Sequence, residues 1–173
     1  AALRRASQVI GMGSHKDKVE KTNAMRLLDG LGIAYGHHVY DPDEALSGVE
    51  VASFLGQNPD RVFKTLVTVG KSGTHYVFMV PVASELDLKK AAAAAGEKNI
   101  AMVKSRELLG LTGYVHGGCS PVGMKKSFTT FIDETATLFE DAIICSGGRI
   151  GDQIELPLSD LMKACDLTIA DIA

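Results

Sequence analysis

The chain has 173 residues, 46% of them hydrophobic and 23% charged, which suits one globular domain with a substantial core. Its net charge of −3 and pI near 5.9 exclude a large nonspecific nucleic-acid interface, which needs clustered Lys and Arg, but leave room for a local basic site. No apolar stretch approaches the ~20 residues that span a bilayer, no signal-peptide pattern is present, and Cys119, Cys145 and Cys165 show no pairing pattern. An odd set of unpaired cysteines points to reduced thiols and a cytoplasmic location.

Leu3-Arg4-Arg5-Ala6-Ser7 reads as a basic kinase-site sequence and Gly13-Ser14-His15 as a vector-derived scar. Residues 1–15 are therefore expected to be a tag-derived or disordered tail, with the functional domain in 16–173. Residues 17–31 carry Val19, Met25, Leu28 and Leu31 at a loose helical period, stopped by Gly30 and Gly32. A strand follows over 33–40, a turn at Asp41-Pro42-Asp43, a short helix over 49–55 and a turn at Asn58-Pro59-Asp60. Two strands, 61–69 and 74–82, flank the hairpin-length loop Gly70-Lys71-Ser72-Gly73. Residues 86–95 form a helix whose five closing alanines are the strongest intrinsic helix signal in the chain. A strand at 100–103 and a helix at 105–109, capped by Ser105, come next. Short strands at 128–132, 142–145 and 153–156, a helix from 159 to 164 and a strand at 167–169 complete the pattern. Short strands interleaved irregularly with helices, without an internal repeat, indicate one α+β domain with a mixed sheet.

Three features point to chemistry. Lys64 lies in the β-branched, aromatic run 61–69, where alternation places it on one face with Val62 and Leu66 and puts Phe63, Thr65, Val67 and Val69 on the other. An ammonium among apolar neighbours either snorkels to water at a sheet edge or points into a pocket. The loop 113–123 holds four glycines and one proline in eleven residues. Such a loop lets backbone approach a ligand, or turns successive N–H groups toward an anion or an oxyanion; a tight structural turn is the alternative. The third feature, Ser146-Gly147-Gly148-Arg149-Ile150-Gly151, joins two strands as a glycine-rich turn carrying a hydroxyl and a guanidinium. It lacks the Gly-Lys-Ser/Thr of a phosphate-binding P-loop, and no helix follows it as a dinucleotide site requires. His116 and Cys119 allow a Cys–His nucleophile in principle, but no orienting Asn or Asp is evident. Neither Cys-x-x-Cys nor His-Glu-x-x-His occurs, so no metal or other cofactor is expected. His37 and His38 read as strand content on opposite faces.

Taken in order, these segments resemble the YbaK family, the trans-editing relatives of the insertion domain of bacterial prolyl-tRNA synthetase. Val62-Phe63-Lys64-Thr65-Leu66 is similar to the family's lysine strand. Gly117-Gly118-Cys119-Ser120-Pro121-Val122-Gly123 is similar to its Gly-x-x-x-Pro loop, and Ser146-Gly147-Gly148-Arg149 through Ile154-Glu155-Leu156 to its Ser-Gly-Gly turn and closing strand. Pro81-Val82-Ala83 and 86–90 also fit, and the likeness runs from about residue 20 to the C-terminus. Two departures stand out. Gln153 occupies the place of an aspartate common in the family, with Asp152 on the opposite strand face. The aromatic residue expected after the first strand is not evident, and Ser47 and Gly48 lie near its place.

The resemblance implies a mixed, partly barrel-like sheet flanked by helices. It implies a hydrolase that cleaves the ester of a mischarged aminoacyl-tRNA, in the YbaK branch Cys-tRNA(Pro). Alanine or another small amino acid on tRNA, or a non-catalytic module binding tRNA ends or a synthetase, are the alternatives. The expected partners are the acceptor end of aminoacyl-tRNA and prolyl-tRNA synthetase, with no membrane. By the same resemblance Lys64, Ser146, Gly117 and Gly118 would be catalytic. Tyr40, Cys119, Ser120, Pro121, Gly147, Gly148, Arg149 and Gln153 would bind substrate. Lys64 would hold a terminal phosphate or the developing oxyanion, the 117–121 backbone would fix the aminoacyl group, and Ser146 would orient substrate or water. If cysteine is the substrate, its own thiol can attack the ester carbonyl and leave as a cyclic thiolactone, making the step lyase-like and Cys119 a bystander. Lys125, Lys126 and Arg149 would meet tRNA phosphates.

Overall fold

The computed structural model describes residues 8–10, 20–44 and 46–173. Its first helix, α1 (Asn23–Gly30), begins later than the periodicity suggests, because Thr22 caps it: the Thr22 hydroxyl accepts from Met25 N at 3.2 Å. Val19, the first apolar position of the predicted helix, lies outside the described residues. One face of α1 buries Ala24, Met25 and Leu28.

Among the described residues, nine strands form two sheets. The smaller has the order β1 (Gln8–Ile10), β2 (Gly36–Val39), β8 (Asp152–Leu156), β7 (Ile143–Arg149), all antiparallel. Thus Gln8–Ile10, inside the segment assigned to a tail, pairs with Gly36–His38. The larger sheet has the order β5 (Ile100–Met102), β3 (Phe63–Gly70), β4 (His75–Pro81), β6 (Thr129–Asp133), β9 (Leu167–Ala170). It is mixed: β3 is antiparallel to β4 and β5, while β4–β6 and β6–β9 are parallel. A single parallel bridge, Val62 to Ile144, joins the sheets. The α+β domain with flanking helices is as the sequence implies; its curvature is carried by two sheets meeting at a corner, not by a closed barrel.

β4 is the middle strand, and Val77, Phe78, Met79 and Val80 are fully buried because both of its faces are covered. On one face, α3 (Leu88–Ala95) lays Ala91 and Ala92 against Phe78, Val80 and Phe131, the two phenyl rings stacking at 5.3 Å. The small alanines let this helix sit close to the sheet. Between the two sheets, Phe63, Met79, Ile132, Ile143, Ile154 and Leu156 pack with Met25 and Leu28 of α1 and with Leu161 of α5 (Leu158–Ala164). α2 (Gly48–Phe54) opens with a capping box, Ser47 with Glu50, and buries Ala52 against Val62 and Ile144 at the corner. Gly48 is required there, since a Cβ would stand 2.7 Å from Val82 Cγ1. α4 (Ser105–Thr112) places Leu108 with Val67, Val77, Tyr114 and Cys119. Buried apolar side chains of this kind contribute about 1.5–3 kcal/mol each.

One predicted turn is strand instead. Ser146-Gly147-Gly148-Arg149 continues β7, and the reversal falls at Ile150-Gly151. The register passes from Ser146–Gln153 directly to Arg149–Asp152, so Gly147 and Gly148 bulge out without partners on β8.

Candidate active site

A cavity of about 540 Å³ lies astride the corner where the sheets meet. From the larger sheet, β3 contributes Phe63 to Val67, with Val62 just before it; from the smaller, β7 and β8 contribute Cys145, Ser146, Asp152 and Gln153. Tyr40, Ser47, Gly48 and Val51 close one side, and Ser105, Leu108, His116, Gly117 and Cys119 the other. The size and mostly aliphatic lining suit a small organic group with a few polar anchors.

Lys64 lines this cavity. β5 pairs with β3 only at Thr68, Val69 and Gly70, so the Lys64 end of β3 is an open edge facing the corner. Both sequence readings of the lysine therefore hold in part: it stands at an edge, and that edge borders a pocket. Its Nζ lies 3.5 Å from Glu85 Oε1, but the Glu85 side chain is 93% exposed. Such a pair is weak and readily exchanged, which leaves the ammonium available to an anion. Beside it, Thr65 Oγ1 is buried without a hydrogen-bond partner among the described residues.

Ser146 stands across the cavity on β7, opposite Gln153. Its hydroxyl accepts from Gly148 N at 3.1 Å, which fixes the bulge. Gln153 is buried; its Oε1 accepts from Gln57 Nε2 at 2.7 Å, and Gln57 Oε1 is itself buried without a partner among the described residues. Asp152, the carboxylate beside it, is fully engaged: His37 Nε2–H donates to Oδ1 at 2.5 Å and Arg149 Nε–H to Oδ2 at 2.6 Å. Burial pushes the Asp152 carboxyl up, but the His37 and Arg149 hydrogen bonds outweigh it and hold the carboxyl below the usual range. Asp152 thus anchors the hairpin rather than offering a free oxygen. His38 takes the opposite face, bonded to Glu155 at 2.7 Å, as alternation requires.

The loop 113–123 is a built shelf. Tyr114 spans it, its hydroxyl donating to Val122 O at 2.7 Å, and burial pushes that phenol up to about 12. Ser120 is fully buried and accepts from Val122 N at 3.2 Å; Pro121 is buried beside it. Neither lines the cavity. Gly118 and Gly147 also lie behind the lining, packed against Arg149–Ile150 and Met25 respectively, while Gly148 and Arg149 face a separate groove. Of the twelve residues singled out from sequence, the cavity brings together Tyr40, Lys64, Gly117, Cys119, Ser146 and Gln153. The other six sit outside its lining, chiefly because the shelf and the bulge need them as scaffold.

Cys119 does line the cavity, but burial pushes its thiol up to about 11, and no histidine among the described residues is hydrogen-bonded to it. A thiol held protonated is a poor nucleophile. Among the described residues, no group of three or more His, Cys, Asp or Glu side chains is placed to hold a metal ion, and no helix is long and apolar enough to cross a membrane. Several lining residues carry no sequence signal. Leu46, Val51, Leu108 and Met102 are ordinary apolar residues that only the fold gathers, whereas Asp152 and His37 form a diagonal cross-strand pair that knowledge of the β2–β8 register would have revealed.

Comparison with known proteins identifies the family and the fold. Residues 43–164 match the model of the aminoacyl-tRNA editing domain. The chain is 41% identical over 158 residues to the "Putative Cys-tRNA(Pro)/Cys-tRNA(Cys) deacylase EbsC" of Enterococcus faecalis, covering 91% of this chain and 96% of that protein. It is 30% identical over 95 residues to a proline–tRNA ligase of Pelobacter propionicus, covering 55% of this chain and 16% of the ligase. The fold matches a crystal structure described as "a putative trans-editing enzyme for prolyl tRNA synthetase", with TM-score 0.77, 24% identity, and 87% and 94% of the two chains covered. The crystal structure of a hypothetical protein matches equally, with TM-score 0.77, 21% identity and 87% and 99% coverage. With the lysine strand, the glycine shelf and the Ser-Gly-Gly bulge gathered around one cavity, and a whole-length relative at this identity, the chain belongs to the aminoacyl-tRNA editing domain family, the YbaK family its motifs resemble.

Proposed function

We propose that this protein is a trans-editing deacylase that removes cysteine mischarged onto proline tRNA, working in the cytoplasm beside a prolyl-tRNA synthetase. The observation that carries the reading is one cavity with an available ammonium, Lys64, on one wall and Ser146 and Gln153 on the other, without an activated nucleophile of the protein. An aminoacyl ester is already reactive, so positioning and charge stabilisation suffice. Lys64 binds the terminal phosphate or the oxyanion that develops on the carbonyl. The backbone at Gly117 and the apolar residues Val67 and Leu108 seat the small side chain, with the free Thr65 hydroxyl as a further polar anchor.

The substrate's own thiol then attacks the carbonyl. A carbon–sulfur bond forms, the ester carbon–oxygen bond breaks, and the ribose oxygen leaves with the thiol proton, passed through a water held by Ser146. The products are a cyclic thiolactone and uncharged tRNA. For a substrate without a thiol, the same water attacks instead and the free amino acid is released.

The test is deacylation of tRNAs charged with cysteine, alanine and proline, by the wild type and by Lys64→Ala. Cleavage of Cys-tRNA(Pro) is expected to fall by roughly 10²–10³ in the variant, the usual cost of removing one charge-stabilising donor. Equal turnover by the two proteins would sink the role of Lys64. Turnover of the alanyl ester alone would move the substrate to alanine.

A further inference from the structure

A second concavity, of about 440 Å³, lies on the far side of the glycine shelf. The partition between the two is one layer of backbone on each side: a Cβ on Gly118 would stand 2.8 Å from Ile150 N, and one on Gly117 would stand 3.6 Å from Ile150 Cγ1. This groove is open and basic. Among the described residues, Lys21, Arg26 and Arg149 line it against one carboxylate, Glu20, in a chain whose overall charge is −3.

The three cations are not equally committed. Lys21 is paired with Asp29, and Arg149 Nε is held by Asp152 while its Nη2 donates to Glu20 O at 2.9 Å. Arg26 is exposed; its guanidinium donates to the neutral Asn23 Oδ1 at 3.0 Å and pairs with no carboxylate among the described residues. Lys125 stands at the rim, where a Cβ on Gly113 would lie 3.8 Å from Lys125 Cβ, and it too is exposed and pairs with no carboxylate among the described residues. Val115 and Ile150, both exposed, present an apolar ridge in the same groove. Cations flanking an apolar ridge match a sugar–phosphate backbone with bases beside it.

We propose that this groove is the track for the RNA strand behind the charged nucleotide. The ester lies in the first cavity, the chain crosses the glycine partition, and the preceding phosphates settle over Arg26, Lys125 and the free edge of the Arg149 guanidinium. This rests on the deacylase reading for what fills the first cavity.

The experiment compares Arg26→Ala/Lys125→Ala with the wild type on three probes: aminoacyl-tRNA, an aminoacyl-adenosine ester with no phosphate, and an uncharged acceptor-stem hairpin. Both side chains are exposed, and an unchanged thermal midpoint verifies that the variant is folded. The expected result is a KM for aminoacyl-tRNA raised about tenfold, with kcat and cleavage of the phosphate-free ester unchanged. The log–log salt slope for the hairpin is expected to become shallower by about 0.7 per lost phosphate contact. Wild-type KM and salt slope in the variant would overturn the track. If the wild type cleaves neither ester, the deacylase reading falls, and the hairpin's salt slope still decides the groove.

Discussion

At the scale of single residues, the cysteines show how burial separates presence from reactivity. Cys119 lines the cavity, yet its thiol is raised to about 11, and Cys145 and Cys165 are raised as well, all by desolvation first. A protein whose thiols stay protonated near neutral pH has no thiolate with which to form an acyl-enzyme. Cys119→Ser is therefore expected to retain deacylation within a few-fold, and a thiol-alkylating reagent to leave turnover intact. Complete loss in both assays would restore the cysteine as nucleophile. The Gln153 departure looks less damaging in place than in sequence. The position faces Ser146 across the ladder and is already hydrogen-bonded to Gln57, so it serves as a neutral polar wall. The neighbouring carboxylate is spent on holding Arg149 and His37.

At the scale of elements, the bulge in β7 decides where the hairpin points. Gly148 has φ +100°, and a Cβ there would stand 2.9 Å from Tyr114 Cε1. Gly148→Ala must distort both the bulge and the shelf it touches, at a cost of about 2–4 kcal/mol. Urea unfolding should show a lower midpoint with an unchanged slope; a wild-type midpoint would mean that the contact relaxes freely.

The helices and most strands were legible because their signals are local. β-Branched and aromatic composition marked β3, the hairpin-length glycine loop joined it to β4, an alanine run followed by Gly96 marked α3, and glycine stops bounded α1 and α2. The strand character of Ser146–Arg149 was not, because two glycines in sequence look like a turn until β8 is seen to pair on both sides of them. Lys64, Ser146 and Gly117, singled out from composition and family order, all line the one cavity. Ser120 and Pro121 look the same in sequence whether they face a ligand or support the loop that does. The structure places them beneath it, where burial and the Ser120–Val122 hydrogen bond account for them.

At the scale of the whole molecule, two buried carboxylates tie together parts distant in sequence. Asp133 accepts from Ile172 N and Ala173 N, each at 3.1 Å, and from Thr135; Asp152 joins β2 to β7. Burial raises both carboxyls, but their hydrogen bonds outweigh it and leave both below the ordinary value. A carboxyl lowered on folding contributes stability that is fully present above its unfolded value, about 3.9, and is lost as pH falls through the lower folded value. The thermal midpoint should therefore be insensitive to these two groups above pH ~5 and fall on further acidification. Asp133→Asn should flatten part of that acid limb; a variant with the wild-type limb would show that Asp133 contributes nothing to it.

The corner bridge between Val62 and Ile144 has a mechanical side. It is the sole ladder contact joining the two sheets among the described residues; the rest of their junction is the apolar packing of Phe63, Met79 and Ile132 with Ile143, Ile154 and Leu156. Under the proposed function, a substrate held on one side by the lysine strand and on the other by β7 would span that corner like a strut. Its occupancy would be expected to add a polar tie between two sheets otherwise joined by apolar packing and one bridge, and product release to remove that tie.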